Sequence, residues 1–231
     1  DGSHYIETVP RRGYRFTAAL DTVAREPGGC FGGAAGANED AALLERGPAL
    51  QTLARDLAQA QSGRGRVALV AGEAGIGKSA LLERFLSTTR PETEVVTGAC
   101  DALFTPRPLG PLRDIAMQWN DAALLDAGSD RHALFSTLLQ RLRERRTAIV
   151  IAFEDMHWAD EATLDLVKFL GRRIAQLPVL FIVTYRDDEL GVEHPLRGVL
   201  GDLPRASTTR IALERLSPAA VETLARASAR G

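Results

Sequence analysis

Cysteine is nearly absent. Cys30 and Cys100 are the two in 231 residues, too few for a disulfide framework, and no Cys-x-x-Cys spacing points to a metal site. A reducing cytoplasm is therefore the expected setting. Lysine is equally scarce, with Lys78 and Lys168 the two among 28 basic residues, so a lysine at a motif position stands out. No charge of one sign dominates. Thirty acidic against 28 basic side chains leave a formal net charge of -2, which excludes binding to nucleic acid or a membrane surface by bulk charge alone. The longest apolar runs, 148–153 and 179–183, fall far short of the roughly 18 residues of a membrane span. An initiator methionine and a charged-then-apolar leader are also missing, so the chain is expected to be a piece of a larger soluble protein. No internal repeat is visible, and the lack of an Asn-Lys-x-Asp run argues against a GTPase.

What is present reads as a globular α/β protein. With 45% apolar and 25% charged residues, the chain can bury a sizeable core. Two β-prone stretches, 5–9 and 14–18, flank Pro10-Arg11-Arg12-Gly13 and predict a hairpin. Five glycines within 27–36 then read as a flexible linker. From Asp40 onward, strands are predicted over 66–71, 94–98, 147–153, 179–185 and 209–213. Helices are clearest over 79–90, 130–146, 160–176 and 195–203. Alternating β and α segments with nearly all-apolar strands mean a parallel sheet with helices on both faces. Ser217-Pro218 supplies an N-cap and a proline at the first turn of one more helix.

Gly72-Glu73-Ala74-Gly75-Ile76-Gly77-Lys78-Ser79 fits G-x-x-x-x-G-K-[ST] between a predicted strand and helix. Glycines let the backbone curl around phosphates, successive N–H groups and the helix N-terminus face the anion, Lys78 reaches the terminal phosphates, and Ser79 ligates Mg2+. The strand over 147–153 ends in Glu154-Asp155, where a second nucleotide-site strand needs carboxylates. Glu154 is expected to help hold Mg2+ through a water, and Asp155 to face the attacking water. Asp160 is the expected N-cap of the next helix. His157 reads either as a polar contact behind the site or as a plain turn histidine, and Trp158 as a packing residue. Thr184-Tyr185-Arg186 ends the following strand on the same sheet edge, where Arg186 reads either as a sensor of a γ-phosphate or as a surface arginine at a strand end. Arg141, Arg143, Arg145 and Arg146 read as a solvated helix face.

These residues resemble a known family. Gly72 to Ser79, Glu154-Asp155-Met156-His157-Trp158-Ala159-Asp160 and Thr184-Tyr185-Arg186-Asp187-Asp188 are similar to the STAND-type AAA ATPase module of large bacterial transcriptional regulators and of some class III nucleotidyl cyclases. The stretches from Cys100 to Leu112 and His194-Pro195-Leu196-Arg197 add to the likeness, which runs from about Leu43 to Arg226. It implies an AAA/ASCE-like P-loop NTPase with a five-stranded parallel sheet in the order 5-1-4-3-2, ATP or ADP as ligand with Mg2+, and self-association in the ATP state. AAA motor ATPases carry a catalytic Glu after the Mg2+-binding Asp, whereas Glu154-Asp155 reverses the lengths, which implies slow turnover. The adenine-side box that reads near Gly-Arg-Glu in the family stands here as Leu44-Glu45-Arg46-Gly47.

Tyr5 to Phe16 resembles the closing hairpin, or wing, of an OmpR-type winged-helix DNA-binding domain. That likeness makes DNA a partner and Arg11 and Arg12 candidates for phosphate contact. The resulting expectation is a wing over 1–20, a Gly-rich linker over 21–39, an ATPase core over 40–216 and the start of a truncated helical lid over 217–231. The whole is read as an ATP-binding switch of a DNA-binding transcriptional regulator, with weak Mg2+-dependent hydrolysis. The alternatives are the regulatory ATPase of another output, such as a cyclase, or a true turnover P-loop enzyme.

Overall fold

The computed structural model describes residues 6–9, 13–16, 44–89, 91–103, 107–125 and 131–228. The first unit contains strands β1 (Ile6–Val9) and β2 (Gly13–Phe16), paired antiparallel with Ile6 opposite Phe16 and Val9 opposite Gly13. Arg11, Arg12 and the Gly-rich stretch over 21–39 lie outside the described residues.

The second unit is built on five strands: β3 (Arg66–Ala71), β4 (Glu94–Ala99), β5 (Ile149–Glu154), β6 (Val179–Tyr185) and β7 (Thr208–Ala212). They pair in the order β4-β5-β6-β3-β7, and every pairing is parallel. Counted from β3, this is 2-3-4-1-5, the P-loop NTPase order that the resemblance implies. Every residue of β6 is buried, whereas β4 and β7 alternate with exposed or half-buried positions. That contrast separates a central strand from two edges.

The helices are α1 (Gly47–Gln61), α2 (Lys78–Ser87), α3 (Gly110–Gln118), α4 (Ala122–Leu125), α5 (Arg131–Arg143), α6 (Glu161–Gly171), α7 (Pro195–Asp202) and α8 (Pro218–Ser228). Strand side chains alternate between faces, and the sheet is covered on both. Ala68, Val70, Val150, Leu180 and Ile182 pack with Leu53 and Leu57 of α1 and Leu81 and Phe85 of α2. Val67, Leu69, Ile151, Phe153 and Phe181 pack on the other face with α3, α5, α6 and α7. Phe153 and Phe181 meet edge to face at 5.1 Å. Among the described residues no helix is long and apolar enough to cross a membrane.

Several expected boundaries shift. The helix expected to 146 ends at Arg143, because Arg145 turns back to pair with Glu94 and lies 5.2 Å from the centre of the Trp119 ring. Arg141 pairs with the buried Asp121 at 2.8 Å. Two of the four arginines therefore tie α5 to neighbouring elements instead of only solvating its face. The helix expected to 176 stops at Gly171, and a separate 3-10 turn covers Ile174–Gln176.

Candidate functional site

Residues Gly72 to Gly77 link β3 to α2, and Lys78 and Ser79 open that helix. Its first N–H groups have no intrahelical partner and point toward the loop. Gly75 and Gly77 adopt φ of +72° and +99°, a left-handed backbone that glycine enters without a steric cost. Lys78 is buried, and its Nζ donates to the carbonyls of Gly72 at 2.7 Å and Glu73 at 2.8 Å. Burial lowers the pKa of Lys78, and the charge of Arg186 lowers it further. The ammonium thus sits at the centre of the loop, where an anion would exchange with two carbonyl contacts.

The end of β5 meets this loop. Ser79 Oγ donates to Glu154 Oε2 at 3.1 Å, across 75 positions of sequence. Burial raises the pKa of Glu154, and the Ser79 hydrogen bond partly offsets that rise. A hydroxyl beside a partly desolvated carboxylate is a hard-oxygen pair of the kind Mg2+ takes, alongside phosphates and water. No cluster of three or more His, Cys, Asp or Glu capable of holding a metal occurs among the described residues.

Asp155 follows with φ +53° and ψ +43°. A left-handed non-glycine residue costs on the order of 1–3 kcal/mol, less for Asp than for most. Its N–H donates to Thr184 Oγ1 at 3.1 Å, so the end of β6 holds the turn. Arg186, just beyond β6, pairs with Glu189, and its guanidinium carbon lies 4.9 Å from the Trp158 ring centre. Trp158 therefore supports the arginine as well as packing against the core. Asp160 caps α6, accepting from Ala162 N at 2.9 Å and Thr163 N at 3.2 Å, and also accepts from Leu109 N at 3.1 Å. The structure thus brings Lys78, Ser79, Glu154, Asp155 and Arg186 to one edge of the sheet. The loop residues Gly72, Glu73, Ala74, Gly75, Ile76 and Gly77 border the same edge.

Contacts that sequence reasoning missed lie beside the loop. The buried Arg46 donates through Nη2 to the carbonyls of Ile76 at 2.9 Å and Glu214 at 3.0 Å. Arg215 bonds Glu73 Oε2 through Nη2 at 2.6 Å and Nε at 3.0 Å. Glu45 accepts from Ser217 N at 2.8 Å and Ser217 Oγ at 2.5 Å, which lowers its pKa, and Ser217 Oγ caps α8 through Ala220 N at 3.2 Å. Glu45, Arg46, Thr52, Leu213 and Arg215 border a cavity of about 340 Å³ next to the phosphate loop. Arg46 lies in the stretch that stands at the family's adenine-side box, but Arg215 carried no motif, so their joint position beside the loop was not legible.

A family model described as AAA ATPase domain matches residues 42–182. An uncharacterized protein of Rhizobium meliloti (strain 1021) is 28% identical over 228 aligned residues, covering 76% of this chain and 22% of its own length. The chain thus spans about a fifth of that curated relative. Among solved structures, Cdc6p of Pyrobaculum aerophilum matches with a TM-score of 0.55 at 20% identity, over 81% of this chain and 50% of that one. That match supports the fold alone. The STAND protein with a tetratricopeptide repeat sensor from Pyrococcus horikoshii matches at 19% identity, over 77% of this chain and 25% of that one, with a TM-score of 0.43, too low to carry an argument.

Proposed function

Because this chain belongs to the AAA ATPase domain family, we propose that it is an ATP-binding switch module with slow Mg2+-dependent hydrolysis. The observation that carries this reading is the Ser79–Glu154 contact at 3.1 Å, which joins the phosphate loop to the carboxylates of a second strand. In this reading the loop N–H groups from Gly72 to Gly77 and the start of α2 grip the phosphates. Lys78 leaves its two carbonyls for the terminal phosphates. Ser79 and Glu154 are the residues that would hold Mg2+, which when bound neutralises charge developing on the transferred phosphoryl group. Asp155, pinned by Thr184, orients the attacking water, and Arg186 reads the terminal phosphate. Asp155 is one methylene shorter than the glutamate of AAA motors, and its reach is correspondingly poorer, which favours a held nucleotide over rapid turnover.

We further propose, from the resemblance of the sequence motifs, that the module is of the STAND type and serves a bacterial transcriptional regulator. Residues 1–20 are read as the wing of a winged-helix domain, with Arg11 and Arg12 as backbone contacts to DNA, and 21–39 as its linker. Residues 40–216 form the ATPase core, and 217–231 begin a helical lid. Self-association in the ATP state and a cytoplasmic setting complete this reading. Calorimetric titration tests its centre. One ATP should bind per chain in the presence of Mg2+, with hydrolysis far slower than binding. No heat with ATP or ADP overturns the nucleotide reading, and fast multiple turnover favours a true P-loop enzyme.

A further inference from the structure

We propose that His157 is a positioning residue that fixes the Asp155 carboxylate relative to Arg186 by standing between Asp155 and Glu189. This rests on the reading of the site as an ATP-hydrolysing one. His157 lies in a 3-10 turn, Met156–Trp158, immediately after Asp155. Its side chain is fully shielded from solvent, yet neither ring nitrogen makes a hydrogen bond. Buried polar atoms without partners are rare and ask for a reason. Each nitrogen here faces a carboxylate: Nδ1 is 4.0 Å from Asp155 Oδ1, and Nε2 is 3.6 Å from Glu189 Oε2. Both distances exceed the N–H···O range by less than about 1 Å.

The ring and its backbone are each held in place. The ring packs against that of Trp158 with centroids 4.3 Å apart and a tilt of 44°, and the His157 backbone carbonyl accepts from His194 Nε2 at 3.1 Å. Leu196 N donates to His194 Nδ1 at 3.2 Å, which leaves the His194 proton on Nε2. Glu189 is in turn the partner of Arg186. A line of side chains therefore runs from Asp155 through His157 and Glu189 to Arg186.

The charged groups acting on the ring are Glu189, Asp155, Arg186 and Lys78. Burial, joined by the positive charges of Arg186 and Lys78, outweighs the two carboxylates and holds the pKa of His157 below its ordinary value. Near neutral pH the ring then offers one N–H to two carboxylates. Donation through Nδ1 draws in Asp155, and donation through Nε2 holds Glu189 and with it Arg186. A change in the arginine's partner is thereby felt at the carboxylate that orients water.

The test compares His157→Leu, His157→Asn, Glu189→Gln and the double variant His157→Leu with Glu189→Gln, each in the whole chain. Single-turnover ATP hydrolysis and calorimetric ATP affinity are measured for all. Asn keeps an amide donor near the Nδ1 position. Affinity should stay within about twofold of the parent, whereas His157→Leu should hydrolyse at least about tenfold more slowly, since small misplacement of a reacting group is costly. His157→Asn should recover part of that loss. Glu189→Gln should also slow hydrolysis, and the double variant should be no slower than His157→Leu, because the two residues act in one line. A parent-like rate in His157→Leu, or losses that multiply in the double variant, overturns the proposal. If His157→Leu fails to fold, the half-exposed Glu189 decides, and a parent-like rate in Glu189→Gln overturns it. A parent chain that binds no ATP fails differently, by removing the nucleotide reading itself.

Discussion

The hydroxyl of Thr184 holds the backbone of Asp155, accepting its N–H at 3.1 Å across the ends of adjacent strands. Thr184 is 2% exposed, and Asp155 is one of four non-glycine residues with positive φ among the described residues. A buried hydroxyl thus supports the strained residue that follows Glu154. The relationship links the second and third motifs directly, with no ligand required.

Replacing Thr184 with Val keeps the shape and removes the acceptor. The Asp155 N–H is then left unpaired, at a cost of about 1–3 kcal/mol. Urea unfolding should report that loss, and hydrolysis should slow more than ATP affinity falls. Unchanged stability and rate together would show that the turn holds itself.

Lys78→Ala removes the cation that the loop encloses. A hydrogen bond to a charged group contributes about 1.5–3 kcal/mol, so ATP affinity should fall by roughly tenfold or more. Isothermal titration of parent and variant measures it, and equal affinities would remove Lys78 from the phosphate site.

Asp155→Asn keeps the size of the side chain and removes its charge. ATP should still bind, whereas single-turnover hydrolysis should fall by about 100-fold if the carboxylate orients water, since misplacement by about 1 Å costs that much. A parent-like rate assigns the water to another group.

Glu154 sets a pH dependence whose sign follows from its environment. Burial raises its folded-state pKa, so its stabilising contribution is fully present below the unfolded carboxyl value and is lost as pH rises through the folded one. Glu154→Gln should therefore raise the melting temperature of the nucleotide-free chain at pH 7, and the difference should vanish as pH falls toward the ordinary carboxyl range. The same variant should lose the Mg2+ dependence of ATP binding. A melting difference that grows on acidification contradicts the assigned environment.

The strands of the sheet were legible because each core strand is an almost unbroken apolar run between turn signals, and β6, buried throughout, is the clearest case; their order followed only from the family resemblance. The phosphate loop was legible because its pattern is local. α1 and α3 were harder to place. Each opens on a Gly-Pro pair with no side-chain cap, and the buried stripe of α1 includes Ala49 and Ala60 beside two leucines, a weak periodic signal. The boundary of α5 escaped because Arg145 answers to Glu94, 51 positions away. The carbonyl contacts of Arg46, the Arg215–Glu73 pair and the Thr184–Asp155 contact were invisible for the same reason: their meaning lies in which strand ends become neighbours.

Arg46 has a mechanical consequence. One guanidinium nitrogen binds a carbonyl of the phosphate loop and a carbonyl of the segment leaving β7. That segment cannot swing away as a unit without either surrendering one of these bonds or dragging Ile76 along. Arg46 is thus a clasp between the loop and the chain that follows the sheet, and drawing the two apart breaks at least one of its bonds.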